Sequence, residues 1–173
     1  MTSTPTQLNE QGKESFQNGE YEQAADFFQQ ASAGFAAAQD ALSAAEAKNN
    51  LSVALLQAEK PQEALEAAAA TDAIFEAAAD VKRQAMALGN QAAALDALKR
   101  YDEALAAYER AADLFAQTQE GDLRALTLKS IAAIKLKTGK TSEAALRMLG
   151  SLDAKKNLTW FERALKFFLR FSK

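Results

Sequence analysis

Between Val81 and Leu98 the apolar side chains Met86, Leu88, Ala92, Leu95 and Leu98 fall mostly at three- and four-residue steps, which places them on one face of a helix. After the turn Lys99-Arg100-Tyr101 the pattern resumes from about Asp102 to Gln117, with Ala104, Leu105, Tyr108, Ala111, Ala112 and Phe115 on the apolar side. Two such faces joined by a short turn predict an antiparallel pair of helices that bury them against each other. The pair is written more than once. Tyr101-Asp102-Glu103-Ala104-Leu105 has counterparts in Tyr21-Glu22-Gln23-Ala24-Ala25, Pro61-Gln62-Glu63-Ala64-Leu65 and Thr141-Ser142-Glu143-Ala144-Ala145, so Ala24, Ala64, Ala104 and Ala144 stand 40 residues apart without a slip. A fixed period of this length marks a repeat array.

The period divides the chain into an array over residues 1–158, with repeats at about 5–40, 41–80, 81–120 and 121–158, and a separate C-terminal helix over 159–173. Because each unit of such an array packs only on its neighbours, the length sets repeat number and not domain count. Composition narrows the reading further. The apolar share is 49%, much of it alanine, and 7 Gly with 2 Pro leave little turn chemistry for a many-stranded fold. Zero cysteines and zero histidines exclude disulfides, thiolate nucleophiles, imidazole bases and every metal site built on sulfur or imidazole. The carboxylates stand where helix caps and solvated faces would put them, without a paired constellation, so the expectation is a protein that is not an enzyme, with no cofactor and no small-molecule substrate. The polar start Met1-Thr2-Ser3-Thr4-Pro5-Thr6-Gln7 has no basic stretch leading into an apolar run, and nowhere do apolar residues run to the roughly 20 of a membrane span. The expected location is cytoplasmic, either free or peripheral at a membrane.

Small residues recur where the two helices of a unit must approach closely: Gly12, Ser52, Ala92 and Ala132 in the first helices, and Ala24, Ala64, Ala104 and Ala144 in the second. Larger side chains fill the layers between. Phe35, Phe75 and Phe115, again forty apart, predict a seam along which units stack. At the junctions Asp40, Asp80 and Glu120 are placed to cap the next helix or to face its N-terminus.

These positions resemble the tetratricopeptide repeat. Its leucine-glycine pair stands here as Gln11-Gly12, Leu51-Ser52, Gln91-Ala92 and Ile131-Ala132, its alanine as Ala24, Ala64, Ala104 and Ala144, and its aromatic as Phe28 and Tyr108, degraded to Ala68 and Met148. The unit is longer than the usual one by about six residues, so the chain is similar to the long-repeat subtype found in kinesin light chains. The resemblance implies an all-α fold, a right-handed α-solenoid of four antiparallel helix pairs plus a C-terminal helix. In the fourth unit Gly150 is expected to interrupt the second helix, and Lys155 stands where the seam phenylalanine would be.

The resemblance also implies a concave groove lined by the first helices. The positions just before the leucine-glycine pair point into it: Asn9 and Glu10, Asn49 and Asn50, Gly89 and Asn90, Lys129 and Ser130. In the long-repeat relatives an asparagine at the second of these positions holds a bound peptide's backbone, since a carboxamide both donates and accepts. Asn50 and Asn90 match, Ser130 is a weaker substitute and Glu10 breaks the ladder. Lys13 and Val53 lie one turn further on the same surface, so the expected peptide-binding set is Asn9, Lys13, Asn49, Asn50, Val53, Asn90, Lys129 and Ser130. Glu10, Glu46 and Asp96 balance Lys13, Lys129 and Lys137, a mixed wall that argues against nucleic acid. The basic clamp with which some arrays hold acidic tails is absent: the third unit offers Met86 and Asn90 where two cations are needed.

Thr159-Trp160-Phe161-Glu162 has capping-box spacing and predicts a helix start. At 100° per residue, Trp160, Phe161, Ala164, Leu165, Phe167, Phe168, Leu169 and Phe171 take one side and the charged residues the other. Residues 155–173 carry six basic side chains and one acid, net +5, whereas the remainder carries 14 and 22, net −8, giving −3 overall. Two readings stay open here. The helix caps the fourth unit, or Trp160, Phe161, Arg163, Lys166, Phe167, Arg170 and Phe171 dock to a membrane surface or a membrane-protein complex. The chain as a whole reads as a protein–protein interaction scaffold or adaptor whose partner is a protein or peptide.

Overall fold

The computed structural model describes residues 3–171, the side chains of Phe161, Phe168 and Phe171 excepted. The described residues form helices and turns without strands. First helices are α1 (Pro5–Gln17), α3 (Ala41–Gln57), α6 (Val81–Ala97) and α8 (Gly121–Lys137). Their second helices are α2 (Tyr21–Ala37), α4 (Pro61–Ala68) with α5 (Thr71–Ala77), α7 (Tyr101–Gln117) and α9 (Thr141–Ala154), and α10 (Trp160–Phe171) follows. Each helix packs on the next in the chain except α4 on α5, which both pack on α3 and α6, and no single core gathers them all. The architecture is an α-solenoid of helix pairs.

Seven of the ten described helices, all but α4, α9 and α10, end in the same way. Gly19, Gln39, Glu59, Ala79, Lys99, Gln119 and Gly139 all have φ between 56° and 81°, and only two of them are glycine. Beyond each, a backbone N–H reaches back to close the last turn: Glu20 to Ser15 O at 2.9 Å, Lys60 to Leu55 O at 2.9 Å, Arg100 to Leu95 O at 2.9 Å and Lys140 to Lys135 O at 2.8 Å. A side chain in the left-handed region costs on the order of 1 kcal/mol, so the closing bonds and the packing of the following helix must outweigh it at five junctions. The chain therefore reverses about every twenty residues through the same turn.

Starts are less uniform. The Asp40 carboxylate accepts from Ser43 N–H at 3.0 Å and that of Asp80 from Arg83 N–H at 3.0 Å, as expected for caps. The Ser43 hydroxyl, followed by its N–H, holds the Asp40 carboxyl below the ordinary range, and the Arg83 N–H, with the guanidinium behind it, does the same for Asp80. Glu120 makes no such bond and pairs instead with Lys82 at 2.8 Å across one unit.

The close-approach residues are where the pattern places them. Ala24, Ala64 and Ala104 are fully buried, with Gly12, Ser52, Ala92 and Ala132 opposite them in the first helices. A Cβ added at Gly12 would stand 2.7 Å from the Phe28 ring, so the bulk of that aromatic demands a glycine. Phe75 packs between Ala45 of its own unit and Ala87 of the next, and Phe115 clusters with Ala85 and Leu88 of its own unit and the partly buried Leu123 of the next, which makes the seam. Phe35, in the outermost unit, is only half-buried.

Two features differ from the sequence pattern. Gly150 does not interrupt its helix: α9 continues to Ala154, and the buried Ser151 and Leu152 hold the segment in place. Glycine costs about 1 kcal/mol against alanine in a helix interior, less than such packing supplies. The break lies in the second unit, where Ala69 is extended and Ala70 has φ 59° between α4 and α5. The Ala68 carbonyl that it frees accepts from Thr71 Oγ1 at 2.8 Å and from Gln91 Nε2 at 3.0 Å. Ala68 occupies the position of Phe28 and Tyr108, and the missing ring leaves the space into which Gln91 of the next unit reaches.

Candidate binding groove and terminal helix

The first helices place the groove residues at uneven depth. In α3, Asn49 is buried and its Oδ1 accepts from Thr71 Oγ1 at 2.9 Å, so its amide serves the packing of α3 on α5. Asn9, the same position in α1, is 9% exposed, and its Oδ1 has no partner. The difference has a simple cause: Thr71 of the second unit corresponds to Ala31 of the first, which brings no hydroxyl. Asn50 and Val53, one residue and one turn further round, are half-buried and face outward from this packing.

Asn50 and Val53 meet Lys13, Phe16, Gln17 and Phe28 around a cavity of about 200 Å³ between α1 and α3. Three residues of the expected set thus converge. The floor is aromatic and aliphatic, and the rim carries an amide and an ammonium, the latter paired with Glu10 at 2.7 Å. Small-molecule sites run to roughly 300–1,000 Å³, so this one accommodates a single large apolar side chain.

Further along, the inner face closes on itself. Lys137 of α8 reaches Asp96 of α6 at 2.9 Å and sits 5.8 Å from the centre of the Tyr101 ring. Asn90 is half-buried, Ser130 donates to Leu126 O at 3.4 Å, and Lys129 turns toward Glu162 of α10 at 3.9 Å. Burial raises the Tyr108 phenol beneath them, against the opposing hydrogen bond with the Ser130 hydroxyl. Sequence reasoning missed Leu126, which is 63% exposed on α8. Its register with Glu46 and Met86 was the available signal, and it extends the apolar part of the inner face to the fourth unit.

At the end of the array, α10 begins with the predicted capping box: Thr159 N–H donates to Glu162 at 3.0 Å and Glu162 N–H to Thr159 Oγ1 at 3.3 Å. Glu162 also takes Lys155 at 2.8 Å, while Lys166 pairs with Asp153 of α9 at 2.7 Å. The helix thus rests on α9 through a charged stripe. Trp160 and Phe167 point the other way, 81% and 62% exposed. Of the docking residues expected here, Phe161 and Phe171 have side chains outside the described ones.

The hydrogen bond from Lys155, followed by that from Thr159 N–H, lowers the Glu162 carboxyl from an ordinary 4.5 to about 2. A carboxyl depressed by folding adds stability above its unfolded value, and this is lost as pH falls through the folded one. The α10 anchorage is therefore expected to hold at pH 5 and to fail as pH drops from about 4.5 toward 2. Amide hydrogen exchange across α10 reads this directly. A midpoint near 4.5, or an unchanged acid transition in Glu162→Gln, would disprove it.

Residues 83–157 match the family model described as tetratricopeptide repeat. Over this stretch, in the third and fourth units, the chain is similar to tetratricopeptide repeats. Among solved structures it is similar to the nearly identical TPR-like repeats of a kinesin light chain-like protein of Podosopora anserina, at 18% identity over 97% of this chain and 87% of that one, with a TM-score of 0.77. A point variant of those repeats aligns at 16% identity over 98% and 96%, with a TM-score of 0.70. No curated protein sequence matches. Tetratricopeptide repeats generally act as non-catalytic adaptors that bind proteins or peptides. No described helix is long and apolar enough to cross a membrane.

Proposed function

We propose that this tetratricopeptide array is a non-catalytic adaptor that holds a peptide segment of a partner protein along its inner face. One apolar side chain of the peptide enters the cavity between α1 and α3, against Phe16, Phe28 and Val53. The amides of Asn50 and Asn90 take its backbone, with Lys13 at one end and Lys129 and Ser130 at the other. Asn9 and Asn49, buried in the packing, leave the binding set. The observation that carries this reading is the convergence of Lys13, Asn50 and Val53 on one cavity with aromatic walls.

The test uses peptides selected from a random displayed library on the immobilised full chain. Asn50→Ala with Asn90→Ala removes two sets of backbone hydrogen bonds, each about 0.5–1.5 kcal/mol, so affinity is expected to fall about tenfold or more. Helicity by circular dichroism should not change, because neither side chain is in the core. Selected peptides that bind this variant and Val53→Arg as tightly as the parent would place the site elsewhere.

A further inference from the structure

We infer that α10 is a lipid-facing helix, seated by its outward arc of Trp160, Arg163 and Phe167 on an anionic bilayer surface while its inner side stays fastened to α9. The orientation of the helix points this way. Glu162, Leu165, Lys166 and Leu169 are half-buried, with Lys166 held by Asp153 and Glu162 by Lys155. Trp160, Arg163 and Phe167 are all exposed, and at about 100° per residue they share an arc of roughly 60°, while Arg170 at its edge turns back to Asp153 of α9 at 3.8 Å. A helix that only ended the array would turn its aromatics inward and a polar face outward. Here two large aromatics stand outward with the Arg163 guanidinium beside them.

That composition suits a headgroup layer. An indole and a phenyl ring enter the boundary between acyl chains and headgroups, and guanidinium groups pair with phosphate or carboxylate at the same depth. Twelve residues span about 18 Å, too short to cross roughly 30 Å of hydrocarbon and long enough to lie along its surface. Charge favours an anionic leaflet: residues 155–173 are net +5 and the rest net −8. The acids of the first units are at the other end of the array, and with a screening length near 10 Å their repulsion falls on orientation, leaving α10 as the end presented to the surface.

The rival occupant is a second copy, whose acidic face around Glu22, Asp26, Glu63 and Glu66 could take a basic helix. The full chain is titrated with phosphatidylserine-containing vesicles and with pure phosphatidylcholine vesicles, and Trp160 emission and flotation are followed together. The expected result is a blue shift and co-flotation with the anionic vesicles alone, lost in high salt and reduced at least tenfold by Arg163→Glu with Phe167→Ser. Circular dichroism of that variant should match the parent, since both side chains are exposed. Unchanged emission and no flotation with anionic vesicles would overturn the assignment, as would equal binding to neutral ones. A lipid-free blue shift that grows with protein concentration, together with a doubled sedimenting mass, would assign the arc to a second copy instead. Asn50→Ala with Asn90→Ala should still float, so failure of the groove reading and failure of this one are told apart.

Discussion

Phe75→Ala is expected to destabilise the protein by about 3–5 kcal/mol, the range for emptying a fully buried phenylalanine site. Phe75 is 0% exposed and lies between Ala45 and Ala87, in contact with two successive units. Alanine neighbours have no longer side chain to swing into the space, so the cavity stays open. Arg83, 5.5 Å from the ring centre, would lose that contact and keep its pairing with Asp80 and Glu46. Phe35→Ala makes the control. It stands at the same repeat position but is half-buried, so about 1 kcal/mol is expected from the smaller area re-exposed. Urea titrations followed by circular dichroism separate the two. Because stability in an array is a sum of unit and interface contributions, Phe75→Ala should also broaden the transition by uncoupling the first two units from the third and fourth. Equal losses for the two variants would mean that the seam does not run through Phe75.

The repeat was legible in the sequence because its determinants are small and strict. A side chain larger than alanine at position 24, 64 or 104 would push the helices of a unit apart, and that exclusion leaves a visible period. The break at Ala69-Ala70 was illegible for the opposite reason. Glu66-Ala67-Ala68-Ala69-Ala70 is among the best helix-forming stretches in the chain, and what ends α4 is a set of hydrogen bonds from Thr71 and from Gln91, the latter 23 residues away. Gly150 misled in the same manner, since local propensity was set against packing that only the folded chain supplies. At the groove, periodicity fixed which residues face inward but not their depth. Adjacent positions on a helix differ by about 100°, so Asn49 and Asn50 look alike in sequence and part company in the structure.

Asn49→Ala and Thr71→Val are each expected to destabilise by about 1–3 kcal/mol, with the double variant costing less than their sum. Valine keeps the shape of threonine and removes the hydroxyl, which leaves the buried Asn49 Oδ1 without its partner. Ala68 O is less affected because Gln91 Nε2 still donates to it. The coupling between the two substitutions should reach about 1 kcal/mol, as for contacting residues in one hydrogen-bonded pair. Additive losses would show that the hydroxyl and the amide act separately. The same variants divide the neighbouring asparagines by role. Asn49→Ala should lower stability and leave peptide capture unchanged once the protein is folded, whereas Asn50→Ala should weaken capture and leave the urea midpoint where it was. If Asn49→Ala impaired capture without moving the midpoint, its amide would belong to the groove, and the inner face would begin one residue earlier in each first helix than the burial pattern places it.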